Sequence, residues 1–422
     1  MREMKDSGIE WIGEIPKEWE VHPVYAYFEE GKTKNYRMQE QNLLSLSYGR
    51  IIRKDINTNG GLLPASFNTY NVVEAGDIII RPTDLQNDKR SLRTGLVKEQ
   101  GIITSAYIDL RPKDNVNSKY YHYLLHSYDI IKVFYNMGNG VRQGLNFSEF
   151  AKLLLLEPPK VQQQKITDFL DTKCLEIDAT AEDIQKEISL LEDYKKSVIT
   201  EAVTKGLNPD AEMKDSGIEY IGITPIHWNK YRLKYILLER NIRTTTGEEM
   251  LLSVSQYKGV VPSKDINNRT MQANSLIGYK IVKKNDLVFN KLNPGLARFG
   301  TSEFDGITSP DFSVYIVDNK KCTAKFLQHL LKTYKYVAKI KGDCTGVGDG
   351  FARLYSEQLY RFVVSLPPIE ELHSIVAYID SKCSEIDTLI ADKKRQLDIL
   401  ADYKKSLIYE YVTGKKEVPV NE

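Results

Sequence analysis

The clearest hydrophobic pattern in the chain is a seven-residue repeat near the end of each half of the sequence. Apolar side chains fall on two interleaved rows over about four heptads, the spacing of a helix that packs along another helix. Each helix would be about 35 residues and ~50 Å long. The rows contain Ile177, Ile184, Ile188, Leu191 and Val198 in the first stretch and Ile386, Ile390, Leu397, Leu400 and Leu407 in the second. We expect these two helices to pack on each other.

Lysines interrupt both rows. Lys195 and Lys404 occupy the same core position in the two stretches, and Lys393 interrupts the second stretch again. A polar residue in such a seam can fix the register of the helices at a cost in stability. The alternative is that each aliphatic stem lies in the seam and carries its charge out to solvent. The pattern leaves both interpretations open.

A different pattern fills the segments between these helices. Short runs of β-branched and aromatic residues end at glycine, asparagine, aspartate or proline, which predicts β-strands separated by turns. The runs are VVEAGDIII (72–80), TSAYIDL (104–110), DLVFN (286–290) and FSVYIV (312–317). Helical spacing recurs at 118–134 and 324–340. Each segment is therefore predicted to form a mixed α+β domain of about 150 residues.

The chain is a tandem duplication. MKDSGIEWIGEIPKEW (4–19) recurs as MKDSGIEYIGITPIHW (213–228) with 11 of 16 positions identical, and the helical block 158–206 recurs at 367–415 with 20 of 49 identical. Both pairs are offset by 209 residues, whereas the sequence between the blocks diverges strongly. The matched blocks form a frame, and each copy of the frame holds a different insert.

This organisation predicts an α+β fold. Two mixed α/β domains are joined by two long helices, which pack as an antiparallel coiled coil with pseudo-two-fold symmetry, because a two-fold relation between the copies makes the paired helices antiparallel. The predicted divisions are a first domain at 1–157, a central helical region at 158–209, a second domain at 210–366 and a C-terminal helical region at 367–422.

Charge is segregated along the chain. The net charge of +1 over 422 residues argues at first against a nucleic-acid binder, which is usually basic. Counted by segment, however, residues 31–150 carry a net +5 and residues 231–360 a net +8, whereas residues 161–220 carry a net −7 and residues 1–30 a net −5. Basic inserts suit a phosphate backbone and base edges, and acidic helices are better placed to face protein partners.

Candidate DNA contacts follow from the side chains in the inserts, because arginine can pair with guanine edges and asparagine or glutamine with adenine. For any single residue, a phosphate contact or an ordinary solvated side chain is the alternative. The candidates are Arg50, Arg53, Lys54, Arg81, Lys89, Arg90, Arg93, Arg142 and Gln143 in the first insert and Lys258, Lys264, Lys291, Asn293, Arg298 and Arg353 in the second.

Signatures of catalysis and metal binding are nearly absent. EEGKT (29–33) ends like a phosphate-binding loop, but Ala26 stands where its first glycine is needed. PDAEMK (209–214) has the letters of a metal-dependent nuclease, yet the other copy of its end reads REMK. The four cysteines show no zinc spacing. We therefore predict no catalytic and no metal-binding residues, and a binding protein rather than an enzyme. A stand-alone nuclease and a coiled-coil scaffold that binds no DNA are the alternatives.

The sequence also indicates a compartment. No run approaches the ~18 apolar residues of a membrane span, and MREMKDSGIE at the N-terminus has no apolar signal-peptide core. Four cysteines without close pairs favour a reducing cytoplasm over a disulfide scaffold. The expectation is a cytoplasmic protein that does not contact the membrane.

Several motifs carry a family resemblance. KDSGIEWIGEIPKEW and its copy KDSGIEYIGITPIHW resemble the N-terminus of specificity subunits of type I restriction–modification systems. PPKVQQQKITDFLDTKCLEID and PPIEELHSIVAYIDSKCSEID resemble that family's P-P-x-x-E-Q-x-x-I…L-D…I-D signature, although its Glu-Gln step reads Gln162-Gln163 and Glu371-Leu372 here. NDLVFNKLNP (285–294) resembles the family's G-D-I-L-F-x-K-x-x-P strand and turn.

The resemblance implies a function for each part. Two target-recognition domains, one per insert, would each read half of a split sequence in double-stranded DNA, and the long helices would separate them and set the spacer. Two methyltransferase (modification) subunits would dock on the frame with S-adenosylmethionine. Two restriction/translocase subunits, which use ATP and Mg, would be further partners. This chain would bind no cofactor and would supply only the DNA address.

Overall fold

The computed structural model of the chain describes residues 2–57, 66–83, 85, 91–137, 144–255, 259–265, 275–292, 294–345 and 352–419. It divides into two compact units. The first unit consists of Met1–Gln185 together with Lys394–Glu422, and the second consists of Lys186–Lys393. Both unit boundaries lie within the long helices, so that each unit contains one stretch of each helix. The division into four segments at 157, 209 and 366 stays a prediction.

The first unit is built on a four-stranded antiparallel sheet in the order β4-β11-β8-β9, with two-stranded ribbons β1–β2, β3–β12, β5–β6 and β7–β10 around it. Its strands are β1 (Met4–Asp6), β2 (Glu14–Pro16), β3 (Glu20–Pro23), β4 (Phe28–Glu30), β5 (Leu44–Ser47), β6 (Arg50–Arg53), β7 (Asn71–Val73), β8 (Ile78–Ile80), β9 (Thr94–Leu96), β10 (Gly101–Ile103), β11 (Ile108–Pro112) and β12 (Leu154–Glu157). Its helices are α1 (Ser118–Ile130), α2 (Phe147–Phe150), the part of α3 (Lys160–Lys205) up to Gln185 and the part of α7 (Ile369–Val412) from Lys394.

The second unit repeats this plan with a sheet in the order β16-β23-β20-β21. Its strands are β13 (Met213–Asp215), β14 (Ile223–Pro225), β15 (Asn229–Arg232), β16 (Leu237–Glu239), β17 (Leu252–Ser255), β18 (Gly259–Pro262), β19 (Lys280–Val282), β20 (Leu287–Asn290), β21 (Phe299–Thr301), β22 (Gly306–Thr308), β23 (Phe312–Val317) and β24 (Val363–Leu366). Its helices are the part of α3 from Lys186, α4 (Ala324–Leu331), α5 (Tyr334–Gly342), α6 (Ser356–Tyr360) and the part of α7 (Ile369–Val412) up to Lys393. The predicted α+β class is confirmed.

Two predicted helices are shorter than the sequence pattern suggested. The helix predicted over 118–134 ends at Ile130, because Lys132 adopts a left-handed backbone with φ 66°. The helix predicted over 324–340 is broken into α4 and α5 at Thr333, whose backbone is extended with ψ 151°. The Thr333 hydroxyl donates to the carbonyl of Leu330 at 2.8 Å. This bond gives the last turn of α4 a local partner and favours the break.

The two long helices exceed the predicted length, with 46 residues in α3 and 44 in α7. Each begins immediately after a proline pair, where proline fits a helix N-terminus because it needs no amide partner. The carbonyl of Pro159 accepts from Gln162 at 2.7 Å, and that of Pro368 accepts from Leu372 at 2.9 Å. The additional turns precede the heptad rows and pack into the domain cores, so the seven-residue pattern did not reveal them. Within the described residues, no helix has the length and apolar character of a membrane span.

The repeated sequence blocks contact each other inside each unit. Trp19, which is 1% exposed, donates its indole N–H to Gln162 Oε1 at 2.9 Å, at the start of α3. Trp228, also 1% exposed, donates in the same way to Glu371 Oε1 at 3.1 Å, at the start of α7. The N-terminal motif of each copy thus holds the first turn of that copy's long helix. This contact explains why both blocks are retained together while the inserts diverge.

Stretches of α3 and α7 run antiparallel within each unit. In the first unit Phe169 packs on Tyr411 with ring centroids 4.5 Å apart, and Lys404 Nζ lies 2.6 Å from Asp178 Oδ1. Higher numbers on α3 therefore face lower numbers on α7. Of the predicted seam residues, Leu191, Leu397 and Leu400 are partly buried and the others are buried: Ile177, Ile184, Ile188, Val198, Ile386, Ile390 and Leu407.

Candidate nucleic-acid interface

The β5–β6 hairpin presents three of the predicted contact residues in the first unit. Arg50, Arg53 and Lys54 are exposed on β6 and the residue that follows it. Arg50 Nη2 lies 3.0 Å from Asp178 Oδ2 on α3. Arg53 pairs with both carboxylate oxygens of Glu99, and this contact raises the pKa of the guanidinium. The hairpin is therefore a basic ribbon whose arginines are already oriented by partners.

The loop after β8 holds Arg81, which is partly buried and whose backbone N–H donates to the Arg93 carbonyl at 2.8 Å. Arg93 is fully buried. Its Nε donates to Tyr135 at 3.1 Å, its Nη1 to the Thr83 carbonyl, and its backbone N–H to Asp129. We therefore correct the assignment of Arg93: its guanidinium is turned inward and satisfied, so its role is to hold the loops around it.

Three predicted contact residues meet at the end of β20 in the second unit. The Asn290 N–H donates to the Arg298 carbonyl at 3.0 Å, and the backbones of Leu292 and Arg353 form an antiparallel bridge beside Lys291. Arg298 and Arg353 are exposed and Lys291 is partly buried. Residues up to 62 positions apart in sequence are thereby gathered into one cationic group. Lys264, in the turn after β18, is also exposed.

Six of the predicted contact residues lie outside the described part of the chain: Lys89, Arg90, Arg142, Gln143, Lys258 and Asn293. Described residues beside them show that both units use the same two loops. The Leu145 N–H donates to the Pro82 carbonyl at 3.0 Å, and the Leu354 N–H donates to the Lys291 carbonyl at 3.2 Å. Pro82 and Lys291, like Leu145 and Leu354, are 209 residues apart, so the loop after β8 or β20 meets the loop before α2 or α6 in each unit.

A buried lysine that the sequence reasoning missed supports the cationic group. Lys280 is 3% exposed and its Nζ lies 3.1 Å from Glu239 Oε1. Burial opposes ionisation of Glu239, but hydrogen bonds from Ser356 and Lys280 lower its pKa. The pKa of Lys291 is lowered, first by burial and then by the nearby charge of Lys280. Lys280, Lys291 and Arg353 thus lie close enough to interact electrostatically, and such a group of cations favours an anionic ligand. No sequence signal marks Lys280, since its burial depends on the fold.

The two units neutralise an equivalent buried aspartate differently. In the second unit Asp286 receives two hydrogen bonds from Arg240, at 2.7 and 3.0 Å. In the first unit Asp77 Oδ2 accepts a hydrogen bond from Arg111 Nη2 at 3.3 Å. A Cβ at Gly31, which stands where the second unit has Arg240, would collide with the carboxylate of Asp109. Burial and the nearby Asp77 raise the pKa of Asp109 to about 7.

One group of potential metal ligands occurs among the described residues, on the β3–β12 ribbon. His22 Nε2 lies 3.0 Å from Glu20 Oε2 and 3.5 Å from Glu157 Oε2, and the Tyr27 hydroxyl donates to Glu157 at 2.7 Å. The side chains of Glu20 and His22 are 69% and 42% exposed. These mutual contacts account for the arrangement as a surface hydrogen-bond cluster.

The outer face of the long helices carries matched apolar pairs. Leu190 and Tyr194 are 68% and 55% exposed on the second-unit stretch of α3, and Ile399 and Tyr403 are 61% and 53% exposed on the first-unit stretch of α7. The two pairs are 209 residues apart and each has the i, i+4 spacing that places two side chains on one helix face. Each unit therefore offers the same small apolar surface.

Comparison with known proteins gives a consistent result. The family described as "Type I restriction modification DNA specificity domain" matches residues 28–190. A chain from a structural study of complex assembly and conformational transition of the type I R-M system superimposes with a TM-score of 0.66 at 13% identity, covering 95% of this chain and 99% of that chain. The HsdS subunit from Thermoanaerobacter tengcongensis gives a TM-score of 0.51 at 12% identity, covering 95% of this chain and 98% of that one. At these identities the two structures show a shared fold.

Proposed function

We propose that the chain is a DNA specificity subunit of the type I restriction modification kind, a proposal supported by the match of residues 28–190 to that family, and that it reads a bipartite DNA target, one half with each unit. Two different inserts on one frame give a target whose halves differ, because each insert carries its own side chains on the same supporting elements. The observation that carries the proposal is the matched plan of the two units together with their divergent loops.

The recognition surfaces we propose are the basic β5–β6 hairpin in the first unit and the group of Lys291, Arg298 and Arg353 in the second. Phosphate contacts would position each unit, and base edges would be read by the side chains that enter a groove. Two acidic residues, Asp178 and Glu99, hold Arg50 and Arg53 in the free protein. DNA phosphates would compete with these carboxylates for the guanidinium groups.

The proposed partners are two modification subunits, which would bring S-adenosylmethionine and perform adenine methylation. Two restriction/translocase subunits, with ATP and Mg, would complete the larger complex. The equivalent apolar surfaces at Leu190–Tyr194 and Ile399–Tyr403 support a stoichiometry of two, since similar surfaces would bind copies of the same partner. This chain would direct the chemistry of its partners to a sequence and perform none itself.

A segment exchange tests the bipartite proposal. Residues 31–150 are replaced by the equivalent segment of a specificity subunit with another target, and the complex with its modification subunits is mapped for methylation at base resolution. We expect one half of the methylated sequence to change and the other half to persist. The matched exchange of 240–359 should change the opposite half. A change in both halves, or in neither, after either exchange would contradict the proposal.

Docking of the modification subunits can be tested on the outer helix faces. Tyr194→Asp and Tyr403→Asp should each reduce the number of bound modification subunits from two to one, as measured by analytical ultracentrifugation, because a charge replaces an exposed aromatic contact. The double variant should bind none. Leu175→Asp is the control, since Leu175 is 71% exposed on α3 but the equivalent position is Ser384. Two subunits bound to either single variant would rule out these surfaces.

A further inference from the structure

The tip of the β5–β6 hairpin has an unusual residue in a strained position. Ser47 pairs with Arg50, so Tyr48 and Gly49 alone form the turn. Both have positive φ, 45° for Tyr48 and 77° for Gly49, as in the two-residue turns that join twisted strands. Asparagine, aspartate and glycine are the residues that such a turn favours at its first position. A tyrosine there is held in a left-handed conformation that its side chain disfavours.

Two contacts hold the turn in place. A Cβ on Gly49 would lie 3.1 Å from Leu92 Cβ and 3.3 Å from His126 Cε1, so glycine lets the turn rest directly on the body of the unit. Arg50 reaches Asp178 on α3 at 3.0 Å. Tyr48, the other residue of the turn, is 83% exposed. The exposed ring therefore belongs to a turn that packs on the body of the unit and not to a loose loop.

Burial does not compensate for this strain, because most of the ring is in solvent. Strained backbone that is maintained at a surface is characteristic of functional positions. Arg50, Arg53 and Lys54 give the same ribbon a cationic edge. The major groove of B-DNA admits a two-stranded β-ribbon, and an aromatic ring at its tip would be the first group to meet the bases. Aromatic side chains bind bases by stacking, and inserted side chains partly unstack a base step.

We propose that Tyr48 is a stacking residue of the first unit, which packs its ring against bases in the half-site read by that unit while the flanking cations contact phosphate. The proposal rests on the proposed function and adds to it one named specificity-determining residue. The ring contributes contact area and no charge, so its effect should be separable from that of the arginines around it.

The test uses the complete complex with modification subunits and a duplex that contains its mapped target, labelled with 2-aminopurine in one half-site at a time. In the wild-type complex we expect fluorescence to increase on binding when the label is at the stacked step of the first half-site. Tyr48→Ala should abolish that increase and weaken binding by about 5- to 150-fold, the range that loss of one base–aromatic stack implies. Tyr48→Phe should keep both properties.

Further variants separate function from folding. Tyr48→Asn supplies a residue that the turn prefers, so it should raise the unfolding temperature while it lowers DNA affinity. If Tyr48 served only the fold, the same substitution would lower both the unfolding temperature and the DNA affinity. The slope of log affinity against log salt should be the same for wild type and Tyr48→Ala, because no phosphate contact is removed. Tyr25→Ala, at another exposed tyrosine of the first unit, is the control and should bind as wild type does.

Two results can be told apart. If Tyr48→Ala binds with wild-type affinity, or if its fluorescence change is lost in the second half-site instead of the first, the stacking role is wrong and the proposed function stands. If the wild-type complex shows no sequence-specific DNA binding, the proposed function itself fails, and the stacking role fails with it.

Discussion

At the scale of single residues, a side chain acquires its role from its partner rather than from its type. Gln162 and Glu371 differ in charge, yet both accept the indole N–H of the tryptophan in their own copy. The contact needs only an oxygen acceptor, so glutamine serves as well as glutamate. The departure of Gln162 from the family signature therefore leaves the frame intact.

Arg93 shows the opposite outcome at this scale. As an arginine in a basic insert it was predicted to contact DNA, but its side chain is buried and hydrogen-bonded to neighbouring loops. Composition and charge cannot distinguish an arginine that faces solvent from one that fills a core. Arg111 on β11 and Arg240, which follows β16, neutralise related aspartates from different places in the fold, and the sequence did not reveal this difference.

A pH dependence follows from Asp109. Its pKa is raised to about 7 in the folded protein, so the native state holds a proton that the unfolded chain releases near pH 4. The free energy of unfolding contributed by this group is thus greatest at acid pH and falls as the pH rises from about 4 to about 7. Asp109→Asn should remove this loss, and at pH 8 should stabilise the first unit by about 1–2 kcal/mol in thermal unfolding.

The free energy of unfolding is measured against pH for both the variant and wild type, because other groups of the first unit also titrate in this range. Burial lowers the pKa of His122 to about 3 and of His126 to about 4, so these groups weaken the fold as the pH falls below 6.5, the opposite trend in the same range. Subtracting the two unfolding curves leaves the contribution of Asp109. A difference that does not change between pH 4 and 8 would show that Asp109 is ionised throughout.

At the scale of elements, the seam lysines combine the two interpretations that the sequence left open. The side chains of Lys195 and Lys404 are only 28% and 26% exposed, so their stems lie in the seam, and each ammonium pairs with an aspartate on the facing helix. Lys195–Asp387 and Lys404–Asp178 are related by the 209-residue offset. The pairing reaches across the helices, which ties it to one register.

A charge exchange tests this register role. Lys195→Asp places two carboxylates together and should lower the unfolding temperature of the second unit, whereas the double variant with Asp387→Lys should restore it, with a coupling of about 0.5–1 kcal/mol. The control is Lys196 and Asp193, an exposed pair on one helix, whose exchange should change little. If the double variant is no more stable than the single one, the pair does not contribute to the register.

Prediction of the elements succeeded where a pattern is long and local. The seven-residue rows predicted the two long helices, and FSVYIV predicted β23 (Phe312–Val317) residue for residue. The helix predicted over 324–340 failed at Thr333, because a side-chain hydrogen bond to Leu330 competes with the helix at a position that hydrophobic spacing does not mark. The seven-residue rows did not mark the first turns of α3 and α7, because those turns pack into the domain cores instead of the seam.

At the scale of the whole molecule, the near-zero net charge is a sum of basic inserts and acidic frames. Electrostatic attraction to DNA depends on the local potential rather than on the total. The group formed by Lys291, Arg298 and Arg353 is the clearest case in the second unit.

The salt dependence of DNA binding measures this local attraction. Arg298→Ala and Arg353→Ala should each reduce the slope of log affinity against log salt by about 1 if the residue contacts phosphate. An arginine that reads a base instead should lose discrimination at one position of the target. Lys196→Ala, on the acidic face of α3, is the control and should leave the slope unchanged. Unchanged binding by both arginine variants would place the DNA surface elsewhere.

The sequence by itself determined the duplication, the division into frame and inserts, the long helices and the segregation of charge. These are properties of neighbouring positions, of periodicity and of internal identity, all of which can be read along one dimension. Only the tertiary structure decided that Trp19 meets Gln162, that Arg93 is buried, and that Lys291, Arg298 and Arg353 share one surface. Such contacts join residues far apart in the chain, and burial and chain reversal, which no local pattern encodes, determine which of them meet.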